Sequence, residues 1–131
     1  MIKLIPFLIA LAISTIAFGQ EANKETQCRN IGALVMGSWH RLDLCILHKQ
    51  LKEREVLEAR RLITKTYPKI GSEVAAGSDL SLYMKKVANG FPYDFSDSHN
   101  TEILAHICKS SIGAMKRYAD ADWKKELVCW R

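Results

Sequence analysis

Apolar residues in the first half of the chain recur at helical steps. Cys28, Ile31, Val35, Trp39, Leu42 and Ile46 stand three or four residues apart, and Leu34 and Cys45 widen that stripe into a core-facing surface. The pattern predicts a helix over residues 26–48, preceded by a polar tail at residues 20–25. Gly32 and Gly37 weaken it by about 1 kcal/mol each relative to alanine, and Gly37-Ser38 is the expected kink. Residues 49–54, polar but for Leu51, read as a turn or a solvated continuation. A second helical run carries Val56, Leu57, Ala59, Leu62 and Ile63 and ends before Pro68.

Residues 68–77 hold one proline and two glycines and read as a connection with at most a helical turn. Ser78-Asp79 offers an N-cap for a short helix with Leu80, Leu82, Tyr83, Met84 and Val87, which Asn89-Gly90 stops. Residues 91–99 have no helical period and form the longest irregular stretch. Asn100 or Thr101 then caps a helix with Ile103, Leu104, Ile107, Cys108, Ser111, Met115 and Tyr118; a last helix begins near Asp122 with Trp123, Leu127 and Cys129. No alternating pattern of strand type persists beyond a few residues. The expected fold is all-α: a small irregular bundle of four or five helices, forming a single domain over residues 20–131.

The first nineteen residues follow a different grammar. Met1-Ile2-Lys3 gives a short charged start, residues 4–16 are almost wholly apolar, and Ala17-Phe18-Gly19 places small residues before Gln20. This is the order of a secretory signal peptide cleaved after residue 19. A membrane span needs roughly 20 apolar residues, so neither this segment nor any later one is expected to cross a bilayer. Export makes the expected location periplasmic in a bacterium and extracellular otherwise. Removing Lys3 turns 19 Lys and Arg against 14 Asp and Glu into 18 against 14, a net charge of +4. That mild excess favours anionic partners but lacks the dense basic stripe of a nucleic-acid binder.

All four cysteines, Cys28, Cys45, Cys108 and Cys129, lie beyond the signal segment. In an exported small domain an even count reads as a disulfide framework, with three possible pairings. If residues 26–48 form one helix, Cys28 and Cys45 lie roughly 25 Å apart, beyond the ~7 Å that a disulfide allows between Cα atoms. An antiparallel C-terminal segment then pairs Cys45 with Cys108 and Cys28 with Cys129. The rival pairing, Cys28 with Cys45 and Cys108 with Cys129, requires a full reversal at Gly37-Ser38.

Catalytic grammar is thin. There is no G-x-S-x-G, no H-E-x-x-H and no phosphate loop. His40 and His48 stand eight apart and read as surface or boundary residues. Asp94, Asp97 and His99 lack the glycine and terminal glutamate of a calcium loop. Glu73, Asp79 and Glu102 have no specified placement. Neither a metal nor a cofactor is expected.

Two features suit binding instead. Phe91, Pro92, Tyr93 and Phe95 crowd three aromatics and a proline into five loop residues beside Asp94, a composition that interface hot spots use. Phe91 and Phe95 could equally tuck under the loop as anchors. Arg60 and Arg61 belong to a basic run at residues 49–69, a candidate docking face for an acidic partner. The expectation is a non-enzymatic exported protein that recognises another protein through Phe91, Tyr93, Asp94, Phe95, Arg60 and Arg61, as an inhibitor or immunity factor. In size, export and paired cysteines it resembles bacterial periplasmic immunity proteins that neutralise envelope-attacking toxins, a likeness of class rather than motif. The alternatives are a secreted helical carrier of an apolar ligand and a cell-wall or lipid hydrolase.

Overall fold

The structure, a computed structural model, describes the backbone from Ile5 and the side chains from Asn23 onward. The export signal expected over residues 1–19 lies outside this fully described part. Among the described residues there are six α-helices and no strand: α1 (Ile5–Leu47), α2 (Glu53–Thr66), α3 (Pro68–Ala76), α4 (Asp79–Ala88), α5 (Thr101–Tyr118) and α6 (Ala121–Glu126). Short 3-10 turns precede α5 (Ser98–Asn100) and follow α6 (Val128–Trp130). The chain is the expected all-α bundle stapled by two disulfides, with more helices than the sequence pattern predicts.

The helix α1 is the axle of the bundle. Val35, Met36, Gly37 and Ser38 are four consecutive buried residues. At about 100° per residue they cover most of the helix circumference, so other elements surround α1 there. This corrects the one-sided stripe expected from periodicity: Leu34 is 57% exposed, whereas His40 is 8% exposed. The helix also runs unbroken through Gly37-Ser38 and through residues 20–25, where a kink and a polar tail were expected. It stops at Lys49, whose φ of +58° turns the chain in the left-handed region. There the amides of Gln50 and Leu51 both reach the Cys45 carbonyl.

Helix α4 packs against α1, with Met84 against Gly37 and the Ala88 carbonyl accepting from Arg41 Nε at 3.3 Å. Helix α5 runs antiparallel to α1. Cys45 bonds to Cys108, and after α6 the chain brings Cys129 to Cys28, with Cα separations of 5.7 and 6.3 Å. This is the favoured pairing, and no described cysteine is free. Cytosolic thiols are kept reduced, so two intramolecular bridges point to an oxidising environment. Among the described residues no helix is long and apolar enough to cross a membrane.

On α2, Val56, Ala59 and Ile63 repeat at steps of three and four and face the core with Met115 of α5. Tyr67 is fully buried and its hydroxyl donates to the Tyr118 carbonyl, tying the α2–α3 joint to the end of α5. Residues 68–76, expected as a connection, form α3. Pro68 occupies the first turn, where no amide is needed, and Gly77 closes the helix with φ +63°, its amide donating to Glu73 and Val74. The proline that reads as a breaker here starts a helix. Ser78 caps α4 as expected, accepting from the Ser81 amide at 3.2 Å.

Candidate functional site

The aromatic loop leaves α4 at Asn89 and folds back across the end of α1. Phe95 packs on the buried cluster of Cys45, Leu104 and Cys108, and its ring meets those of Phe91 at 5.5 Å, Tyr93 at 6.2 Å and His48 at 6.2 Å. Phe91 lies under the Arg41 guanidinium, 5.3 Å from the ring centroid. Because Arg41 also holds the Ala88 carbonyl, one side chain fixes both the end of α4 and the start of the loop. Phe91 and Phe95 are thus half-buried anchors, while Tyr93 is 47% exposed.

Polar residues of the loop are bonded locally. Asp94 accepts from the Ser96 amide at 3.0 Å and from its hydroxyl, and these bonds hold its carboxyl below the usual carboxylate range. Asp97 accepts from the His99 amide at 3.0 Å and ring Nδ1 at 2.9 Å, which lowers it likewise. Asp97 therefore caps the 3-10 turn. Asn100 does not cap α5 with its side chain, as the sequence suggested; its Nδ2 donates instead to the Asp94 carbonyl at 2.8 Å. The loop is consequently ordered by its own side chains.

The two arginines of the basic run separate. Arg60 is 19% exposed in its side chain; its guanidinium lies 5.3 Å from the Trp39 ring centroid and donates to the Trp39 carbonyl at 2.7 Å and Asp43 at 2.8 Å. It works as a clamp between α1 and α2. Arg61 is exposed and adjoins a groove of about 420 Å³ with Trp39, Leu57, Thr64 and Lys65. Arg54 and Glu58, four residues apart on α2, pair at 3.4 Å, whereas Lys49 lies in the turn, outside the helix that carries Glu53.

His40, expected near the surface, is buried and hydrogen-bonded through Nε2 to the Ser81 hydroxyl at 2.9 Å, joining α1 to α4. His48 is half-buried beside Phe95. Glu73 accepts from the Ser78 hydroxyl, while Asp79 and Glu102 stand in the first turns of α4 and α5. A cleft of about 550 Å³ lies beside the Cys28–Cys129 bridge and mixes charged residues, Glu25, Arg29, Lys69 and Glu73, with Leu80 and Trp130. Among the described residues no three His, Cys, Asp or Glu side chains gather as a metal site.

Sequence reasoning passed over an exposed apolar stripe, Leu80, Tyr83 and Val87, on the outer side of α4. The signal was available, because that ten-residue helix carries more large apolar residues than one buried face can use. Arg41 was missed as well, since nothing local to it announces a partner 50 residues later. Comparison with protein-family models, characterised proteins and solved structures finds no match to this chain.

Proposed function

We propose that this chain is an exported, non-catalytic binding protein that recognises another protein through the loop at residues 91–97, acting as an inhibitor or immunity factor. The observation that carries this reading is the exposed ring of Tyr93, held on a scaffold of half-buried Phe91 and Phe95 beside a disulfide. A side chain already fixed in one arrangement loses little freedom on binding, so preordering of this kind raises affinity. Tyrosine supplies a large apolar face and a hydroxyl at low entropic cost, which suits recognition.

The test is capture of a partner from the native organism with residues 20–131 as bait, comparing wild type with Tyr93→Ala. Loss of the captured protein at unchanged thermal stability supports the proposal. Equal capture by the variant refutes the role of the loop. Phe95→Ala separates anchoring from recognition: it should lower stability, since its ring covers the Cys45–Cys108 cluster, by about 2 kcal/mol for partial loss of a buried phenyl.

A further inference from the structure

Two hollows flank α2 and share Lys65, which stands on the ridge between them. The first is the groove with Trp39 and Leu57 in its walls; the second, of about 340 Å³, brings Lys65, Lys124 and Arg131 together beside Leu62. Their charge is unbalanced. Arg54 and Arg60 on α2 each have a carboxylate partner, whereas Arg61, Lys65, Lys124 and Arg131 have none among the described residues. Leu57, 56% exposed, stands at one end of this cationic face, in the first hollow.

We infer that these two hollows together form a second docking site, one that takes an acidic segment of a partner protein running across α2 at Lys65. An apolar side chain of that segment sits between Trp39 and Leu57. Its carboxylates lie against Arg61 and Lys65 and, further along, Lys124 and Arg131. The apolar lining selects a peptide over a phosphate polymer, which has cations to meet but nothing to place on Leu57. Base stacking is disfavoured because the Arg60 guanidinium already lies over the Trp39 ring. A flat lipid surface fits a protruding patch rather than a hollow.

The inference rests on the reading of this chain as a protein-binding module but uses a different surface. Trp39 and Asp43, which hold the α2 side, are each two residues from Arg41, which holds the loop, so at about 100° per residue they lie roughly 160–200° around α1. The test is fluorescence anisotropy of the domain with a labelled dodecapeptide of leucine and glutamate. We expect saturable binding that weakens at least tenfold in the Arg61→Glu, Lys65→Glu double variant and in Lys124→Glu. It should weaken similarly when the peptide leucines become serine, and persist in Tyr93→Ala and in Lys116→Glu on α5. Absence of saturable binding, indifference to the leucines, or an equal loss in Lys116→Glu overturns the proposal, as does preference for phosphatidylglycerol vesicles or a single-stranded oligonucleotide over the peptide. Failure of the loop shows only in the Tyr93→Ala capture experiment, so the two readings fall separately.

Discussion

The indole of Trp130 lies where a side chain on residue 32 would have to go: a Cβ added to Gly32 would fall 2.0 Å from Trp130 Nε1. That same nitrogen donates to the Cys28 carbonyl at 2.8 Å, one turn earlier on α1. The glycine that weakens the helix locally is therefore required by the packing of the far end of the chain. Gly32→Ala should destabilise the domain by about 2–4 kcal/mol, combining overpacking with a strained or lost buried hydrogen bond. Gly113, exposed within α5, has open space around it. Gly113→Ala should stabilise by about 0.5–1 kcal/mol. Urea unfolding of both variants checks the pair, and equal effects would contradict the notch at residue 32.

Arg60 and Arg61 are adjacent and chemically identical, yet they should respond differently to truncation. Arg60→Ala removes bonds to Trp39 and Asp43 and uncovers the indole, which should cost about 1–3 kcal/mol. Arg61→Ala removes an exposed charge and should stay within about 0.5 kcal/mol of wild type. Denaturant midpoints of the two single variants decide the matter.

His40 gives the domain a pH dependence with a defined sign. Burial, then the Lys85 ammonium, holds the imidazole below its ordinary 6.5; Asp43 opposes this and Arg60 adds to it, while the Ser81 backbone raises the value. The unfolded chain binds the proton more readily, so this contribution to stability is full above about pH 6.5 and is lost as pH falls through the folded value. Urea midpoints at pH 7.5 and 5.5 should drop in wild type and drop less in His40→Gln. Parallel behaviour of the two proteins would remove His40 as the source.

The disulfides should open in order. Cys45 and Cys108 are almost fully buried, whereas Cys129 is half-exposed at the end of the chain. Limited reductant should therefore cleave Cys28–Cys129 first, and thiol trapping followed by peptide mass mapping reads the order. Each bridge is expected to contribute about 2–4 kcal/mol. Their loops of 101 and 63 residues differ too little to separate them entropically.

Sequence alone exposed the helices whose apolar spacing is regular and whose ends carry familiar signals, as at Ser78 and Asn89. It also exposed the disulfide pairing, because a long rigid helix cannot join its own two cysteines. It did not expose α3, since Pro68 suits a helix start and a helix break alike. Nor could it show that α1 is enclosed: burial of His40 depends on α4, whose Ser81 arrives 41 residues later. In the candidate site, the crowding of Phe91, Tyr93 and Phe95 was visible in the sequence. The division between anchors and exposed ring was not, because it depends on Arg41 and on the Cys45–Cys108 cluster. Likewise Arg60 and Arg61 look alike until α1 supplies Trp39 and Asp43.

The enclosure of α1 has a consequence in time. Its covering surfaces come from segments far downstream, up to Leu127 and Trp130, so a chain that emerges from its N-terminal side presents this helix long before anything can shield it. Non-local closure of this kind slows folding. During that interval the segment around Val35–Ser38 stands uncovered and is a target for a chaperone.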